Sequence, residues 1–382
     1  MNIIEKQKQL EEFCSKVSKD DYITIDTEFI RDKTYFPKLC LIQIAGSDAA
    51  ALIDPLADKI NLEPVFKLLR NDRLIKVFHA CRQDIEIFYL LSGEIPKNIF
   101  DTQIAASMCG YGESVSYENL VNRIVKQELD KTSRFTDWSA RPLSEKQLAY
   151  ALSDVTHLRG VYEHLRSNIK DAGRMSWVIE EHEELYNPSL YKVDPQNAWK
   201  RLKYGTMRPK NLAILREIAA FRENEARVKN VPRGRVLRDD ALLEIASVIP
   251  KNEDEFKKLR AIDKGIAKKK AQQIMECINI ALALPSSEYP QQKKRHKTPD
   301  NINSIIAMLQ LLLKVKADVN GIAPSIIADK KELEAVAMGD DKSQLLTGWR
   351  YDVFGKDAKL LISGKLKLSL NPDISKVVFE VV

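Results

Sequence analysis

The first hundred residues show short strand patterns, and the chain behind them is patterned mainly as helices. In residues 22–29 apolar and polar side chains alternate, as they do along a strand with one buried face. The turn residues Gly46-Ser47-Asp48 separate the next two apolar runs, which predicts an antiparallel meander. Further strands are predicted at 39–45, 50–53, 74–78 and 99–100, and a helix at 62–69.

Helical patterns dominate from residue 84 to about 170, so the strands are expected to form one sheet that helices cover. Asn187-Pro188 and Asp194-Pro195 break that pattern, and the Pro-, Gln- and Lys-containing stretch 285–297 is typical of a linker. The order of elements therefore predicts three domains: an α/β domain at 1–190, followed by all-α domains at 191–290 and 291–382.

The two helical domains share a weak repeat. Val231-Pro232 and the apolar positions behind it are echoed by Ala323-Pro324, at an offset that drifts between about 90 and 92 residues. This indicates two related helical modules, of which the second is degenerate.

Composition sets the class of protein. With 44% hydrophobic and 30% charged residues among 382, and no apolar run near the ~18 residues of a membrane helix, we expect a globular protein without membrane contact. The start of the chain has no secretory layout, which favours a cytoplasmic location. The five cysteines form no C-x-x-C pair, which argues against a disulfide framework and the usual zinc sites. A bound metal would have oxygen ligands, as magnesium and manganese prefer.

Positive charge is concentrated in one stretch. Residues 200–238 contain twelve Lys or Arg against three Glu, whereas the net charge of the whole chain is only +6. Such a stretch is typical of a surface that binds a polyanion, although a solvated helical face is the simpler explanation from charge alone.

Two acidic residues lie on the first strand of this meander. Asp26 and Glu28 are two positions apart and leave the strand on the same face, opposite Ile23 and Ile25. Adjacent carboxylates repel each other unless a cation lies between them. An exposed acidic sheet edge would give the same pattern.

Three more residues complete a possible site. Asp84 follows a buried strand and opens a helix, where it could simply favour the helix dipole. Tyr150 and Asp154 are four positions apart on a helix and so share one face. Because Asp is disfavoured inside a helix, Asp154 invites a functional explanation.

In this order, Asp26-Thr-Glu28, Asp84 and Tyr150-x-x-x-Asp154 resemble the three motifs of the DEDD exonuclease superfamily, in its tyrosine branch. Segments such as Thr136-Asp-Trp-Ser-Ala-Arg-Pro resemble the ribonuclease D family of that branch. Segments 199–202, 231–246 and 348–355 resemble that family's helical HRDC domains, so the resemblance spans nearly the whole chain. It implies a mixed-sheet, ribonuclease H-like α/β exonuclease domain followed by two small all-α HRDC-like domains.

The resemblance also implies a chemistry. Asp26, Glu28, Asp84 and Asp154 would hold two divalent cations, Mg²⁺ or Mn²⁺, which activate a water and stabilise the departing 3′ oxygen. Tyr150 would orient that water, and all five residues would be catalytic. The implied reaction is 3′→5′ removal of nucleoside 5′-monophosphates from RNA.

The implied partner is RNA with a free 3′ end, in particular transfer-RNA precursors. No small-molecule cofactor is expected, and the chain is expected to be a monomer. Aromatic side chains after the first motif could stack on terminal bases, although core packing is as good an explanation for Phe29 and a better one for Phe36, beside Pro37. Arginines of the basic stretch could contact phosphates, which would give this region a role in binding rather than in chemistry. The candidate substrate-binding residues are Thr27, Phe29, Phe36, Arg233 and Arg235.

Two alternatives remain at this stage. A DNA 3′→5′ exonuclease would use the same chemistry, and HRDC-like domains occur in DNA helicases too. A catalytically inactive nucleic-acid-binding protein is the other, although all five catalytic side chains are retained.

Overall fold

A computed structural model describes residues 3–129, 136–262, 264–292, 301–372 and 376–382. The described residues form two compact units. The first contains those of Met1–Glu28, Leu41–Asn187 and His296–Val382, and the second those of Phe29–Cys40 and Pro188–Arg295. The described helices are all too short or too polar to cross a membrane.

A six-stranded mixed sheet is the centre of the first unit. Its spatial order is β1-β4-β3-β2-β5-β6. Strands β3 and β4 are antiparallel, as the predicted meander requires, while β2, β5 and β6 run parallel. The strands are β1 Ile3–Ile4, β2 Tyr22–Ile30, β3 Lys38–Ala45, β4 Ala50–Ile53, β5 Ile75–Phe78 and β6 Ile99–Asp101.

Helices cover this sheet, which confirms the expected α/β class. The longest of them, at Glu145–Asp171, begins with a capping box in which Ser144 and Gln147 satisfy each other's backbone N–H groups. The helices up to the end of this region are α1 Gln7–Val17, α2 Glu63–Arg70, α3 Arg82–Ser92, α4 Thr102–Ser107, α5 Tyr117–Leu120, α6 Glu145–Asp171 and α7 Met175–Glu183.

The second unit is helical around its own apolar core. That core includes Leu212, Ile218, Leu242 and Phe256, all fully buried. Besides these helices, the unit contains the segment Phe29–Cys40. The helices are α8 Pro209–Val228, α9 Arg233–Val236, α10 Asp239–Val248, α11 Glu253–Lys257 and α12 Lys264–Ala283.

The C-terminal helices pack in the first unit, not in a core of their own. Trp349 stacks on Trp177 of α7 with ring centroids 4.9 Å apart. Arg350 forms a double ion pair with Glu181, including an Nη2–Oε2 contact of 2.7 Å. The elements are α13 Ile302–Asn320, α14 Pro324–Ile327, α15 Lys330–Ala337, α16 Gly348–Arg350, α17 Lys356–Ile362, β7 Leu366–Asn371 and β8 Lys376–Val381.

Several strands and short helical turns are not predicted by the sequence pattern. Strand β1 has only two residues, and the terminal hairpin β7–β8 follows a segment patterned as helix. The short helical turns have no period long enough to recognise. They are 3₁₀ turns at Glu184–Tyr186, Pro188–Leu190, Pro195–Arg201, Ser286–Glu288 and Gln344–Leu346, and π turns at Val121–Val125 and Tyr351–Gly355.

One lysine lies in the middle of the sheet. Lys76 on β5 is fully buried, and its Nζ donates to the carbonyls of Asn71 and Leu74 at 2.5 and 2.8 Å. Burial lowers the pKa of this amine to about 7. Since the folded state holds the neutral amine above that pH while the unfolded chain keeps its proton, folding gains stability as the pH rises above 7.

We therefore expect Lys76→Met to remove a pH-dependent part of the stability. The free energy of unfolding of the wild type should rise relative to the variant by up to about 1.4 kcal/mol per pH unit between pH 7 and 10. Scanning calorimetry of both proteins from pH 6.5 to 9.5 measures this: the melting-temperature difference, variant minus wild type, should fall steadily. A difference that is constant with pH would contradict the assignment.

Candidate active site

Strand β2 presents the first two acidic residues. Ile23 and Ile25 are fully buried on one face, so the alternation of the strand puts Asp26 and Glu28 together on the other face. Thr24 shares the face of Asp26, and its hydroxyl donates to the carbonyl of Val155 on α6 at 2.7 Å. This bond between strand and helix fixes α6 beside the carboxylates.

Helix α6 supplies the second half of the site. Asp154 lies next to Val155 and is buried, with 5% of its surface exposed. Oxygen atoms of Asp26, Glu28 and Asp154 all lie within 4.8 Å of one another. Three carboxylates this close form an all-oxygen donor set, which fits a hard divalent cation such as Mg²⁺ or Mn²⁺.

The electrostatics of the acids reflect this crowding. Burial raises the pKa of Asp26 to about 6. Burial, and then the charge of Asp26, raise the pKa of Asp84 well above its usual range. The raised pKa values oppose ionisation of both carboxyl groups, and a bound cation would lower these pKa values again.

Asp84 is held by the strand itself. The hydroxyl of Thr27 donates to Oδ1 of Asp84 at 2.5 Å, which joins the first motif directly to the second. Asp84 lies in the first turn of α3, as the sequence predicts, and is 7% exposed. It is not among the three acids whose oxygens converge, but it responds to the charge of Asp26.

Tyr150 lies one turn before Asp154 and is hydrogen-bonded to it. Burial, followed by the charges of Asp154, Glu28 and Asp26, raises the pKa of this phenol far above its usual value. The hydroxyl therefore keeps its proton near neutral pH and remains a hydrogen-bond donor. The indole of Trp138, 2% exposed, has its centroid 6.1 Å from that of Tyr150.

Two residues that support the site were missed by sequence reasoning. The hydroxyl of Tyr117 donates to the backbone carbonyl of Asp154 at 2.5 Å, and burial, then the charges of Asp154 and Asp26, raise its pKa. The carboxylate of Asp101 accepts from the amides of Ala80 and Cys81 at 3.1 and 2.8 Å, just before α3. Asp101 also caps α4, because its carboxylate accepts from the amide of Gln103 at 2.7 Å. No sequence spacing links Tyr117 to Asp154.

The remaining candidate residues are divided between the two units. Thr27 belongs to the first unit and contacts Asp84. Phe29, near the end of β2, and Phe36 belong to the Phe29–Cys40 segment of the second unit and are half-buried. Arg235 is exposed. Arg233 is 32% exposed in its side chain, and its guanidinium is paired with Glu223.

Comparisons with known proteins identify the family of the chain. Residues 1–170 match the family model described as 3′-5′ exonuclease, and residues 211–278 match the HRDC domain. The ribonuclease D of Jannaschia sp. (strain CCS1) is 45% identical, and the alignment covers 97% of this chain and 97% of the relative. The ribonuclease D of Bartonella henselae is 43% identical over 97% of this chain and 92% of its own length.

A solved structure gives the same picture. The crystal structure of Escherichia coli RNase D, described as an exoribonuclease involved in structured RNA processing, superimposes with a TM-score of 0.85 at 26% identity. That match covers 95% of this chain and 99% of the other. Identity above 40% over almost the full length shows that the chain belongs to the ribonuclease D family and is a 3′→5′ exoribonuclease.

Proposed function

We propose that the enzyme hydrolyses RNA from its 3′ end with two divalent cations, Mg²⁺ or Mn²⁺, held by Asp26, Glu28, Asp84 and Asp154. The observation that carries the proposal is the convergence of three carboxylates within 4.8 Å, with Tyr150 bonded to one of them. When bound, such cations polarise the scissile phosphate and make an attacking water acidic enough to react. The products would be nucleoside 5′-monophosphates and a shortened RNA.

The protein's own residues would position these groups. Thr27 keeps Asp84 turned toward the first motif, and Thr24 keeps α6 against β2. Tyr150, which remains protonated and donates to Asp154, would orient the attacking water by accepting a hydrogen bond from it. Tyr117 fixes the helix backbone at Asp154, so the acid would be preorganised before substrate binds.

The RNA would be bound through aromatic and basic side chains. Phe29 follows Glu28 directly and is half-buried, which suits a side chain that packs on a terminal base. Arg235 is exposed and suits a phosphate contact. Phe36 and Arg233 would contribute less, because Phe36 packs on Tyr35 and Arg233 is paired with Glu223.

The cellular substrate that we propose is a transfer-RNA precursor with a 3′ extension, processed in the cytoplasm by a monomer. Supporting arguments are the family membership and the structural likeness to an exoribonuclease of structured RNA. Contacts to phosphates carry no sequence information, so RNA shape would decide where trimming stops.

We further propose that the C-terminal helices are a second, degenerate HRDC-like module and that the domains are 1–190, 191–290 and 291–382. In the first module, α8, α9 and α10 have 20, 4 and 10 residues. Their counterparts α13, α14 and α15 have 19, 4 and 8 residues, and a proline lies near the start of the four-residue helix in both. This matching order supports the weak repeat in the sequence.

Removal of either central carboxylate should abolish turnover. We expect Asp26→Asn and Asp154→Asn each to lower the rate constant by about 10³-fold or more, because a metal site that loses one charged ligand can no longer stabilise the transition state. RNA binding, measured by filter retention in EDTA, should change little. Asp58→Asn, an exposed position outside the site, is the matched control. Full activity in either of the two variants would refute the site.

Tyr150→Phe should separate orientation from binding. Loss of the hydroxyl is expected to lower kcat about 10²-fold and to change KM less than about threefold, since the contact is made to the reacting water. Steady-state kinetics on end-labelled RNA with Mg²⁺ measure both constants. A change confined to KM would instead assign Tyr150 to substrate binding.

A transfer RNA with a short 3′ tail is the most informative substrate. We expect the enzyme to trim the tail nucleotide by nucleotide, to slow near the folded acceptor stem, and to degrade a DNA strand of the tail sequence much more slowly. A gel assay with 5′-labelled RNA and DNA, with and without Mg²⁺, resolves each step. Equal rates on the DNA strand would favour a DNA exonuclease, and cation-dependent binding without cleavage would favour an inactive binding protein.

A further inference from the structure

The segment that follows the first motif is held by the helical unit. Phe29–Cys40 begins directly after Glu28, yet its contacts place it with Pro188–Arg295. Tyr35 is 7% exposed and forms a small apolar cluster with Ala226 and Val236. The connection between β2 and β3 is therefore packed on helices that lie far away in the sequence.

The side chain of Asn230 binds the backbone of this segment. Oδ1 of Asn230 accepts hydrogen bonds from the amides of both Tyr35 and Phe36, each at 3.1 Å. Asn230 follows the end of α8 and has a φ of 47°, in the left-handed region that asparagine tolerates better than most residues. The backbone of Asn230 thus closes the turn after α8, while its side chain clamps two consecutive amides of the segment.

A buried ion pair holds the Tyr35 side chain. Glu223 on α8 is 1% exposed, and its two carboxylate oxygens accept from Nε and Nη2 of Arg233 at 2.5 and 2.7 Å. The hydroxyl of Tyr35 donates to the same carboxylate, and the guanidinium lies 4.7 Å from the centroid of the Tyr35 ring. Although burial would raise it, the pKa of Glu223 is lowered by the hydrogen bonds from Arg233 and Tyr35.

This pairing indicates that the charge of Arg233 stabilises the buried carboxylate of Glu223. Both of its bonds to Glu223 are charge-assisted and occupy the fork that a phosphate would need. Releasing them would leave a buried carboxylate with only the Tyr35 hydroxyl among the partners described above. The geometry therefore indicates that Arg233 holds the Phe29–Cys40 segment in place rather than binding RNA directly.

We propose that Asn230, Glu223 and Arg233 are positioning residues for the exonuclease reaction, because they fix the segment that begins at Phe29. Phe29 lies near the end of β2, and only six residues separate Glu28 from Tyr35, so restraint at Tyr35 limits the movement of the strand end that carries Phe29. The inference rests on the proposed function, in which Glu28 is a metal ligand and Phe29 contacts the terminal base. It gives the basic helical region a part in the chemical step as well as in binding.

Asn230 offers the sharpest test, because the clamp can be removed without disturbing the turn. Asn230→Gly deletes the acceptor and suits the positive φ, whereas Asn230→Asp restores an acceptor of the same length. Tyr35→Phe is a second variant, which removes the hydroxyl bonded to Glu223 and keeps the ring over Arg233. Glu225→Gln is the matched control: it loses ion pairs with Lys229 and Lys270 on the same helical unit but lies outside the clamp.

The measurement is the single-turnover rate of the full-length protein at saturating RNA, with the dissociation constant for the same RNA in EDTA and the melting temperature of each variant. We expect Asn230→Gly to lower the rate about 5–50-fold, as misplacement of a positioned group does, with binding changed less than about twofold. Tyr35→Phe should also lower the single-turnover rate. Asn230→Asp should return the rate to within about threefold of the wild type, and Glu225→Gln should leave it unchanged.

A wild-type rate in Asn230→Gly would overturn the inference, as would equal losses in the Gly and Asp variants. A loss that appears only in the dissociation constant would also overturn it, by making the cluster a binding surface. The proposed function fails separately, and visibly, if the wild type itself shows no cation-dependent release of 5′-monophosphates.

Discussion

The repulsion among the carboxylates of Asp26, Glu28 and Asp154 is the constraint on which the rest of the exonuclease unit depends. Two unit charges about 4.8 Å apart repel by roughly 3–4 kcal/mol at an effective dielectric constant near 20, and three such pairs meet here. The raised pKa of Asp26 reflects the further cost of burial. Such a cluster persists only where a rigid frame holds it, and cations are the natural means of relieving it.

That frame is built from ordinary interactions placed at particular residues. The isoleucines of β2 anchor the strand, the capping box at Ser144 starts α6, and the Thr24 hydroxyl joins helix to strand. Thr27 and Asp101 then fix the approach of α3, which brings Asp84. Each of these interactions involves a residue other than Asp26, Glu28, Asp84 and Asp154, and each helps to determine where one of those acids lies. The geometry of the candidate site therefore depends on residues outside that set.

Much of the geometry of the candidate site could be predicted from the sequence because it is local. The two-residue period of a strand places Asp26 beside Glu28, and the four-residue spacing of a helix places Tyr150 beside Asp154. Tyr117 could not be found in this way, since its partner Asp154 is 37 residues away and no period relates them. The local charge suggested Arg233 as a phosphate ligand. A sequence does not reveal that the buried carboxylate of Glu223 on α8 is paired with this guanidinium.

Contacts between distant segments of the chain could not be predicted from the sequence. Trp349 and Arg350 pack on α7, and Tyr35 packs beside α8. These are contacts over 160 to 200 residues of sequence, and they depend on shape rather than on periodicity. They also mean that truncation at an apparent linker would remove part of a packed core.

The central claim is that the four acids hold two divalent cations around an RNA 3′ end. Crystals of the unmodified protein can be grown with Mn²⁺ and a non-hydrolysable RNA. Anomalous diffraction from them measures the number and position of the ions directly. We expect two anomalous peaks about 3.5–4 Å apart, with each of Asp26, Glu28, Asp84 and Asp154 within coordination distance of at least one of them. Peaks elsewhere, or none at these carboxylates, would contradict it.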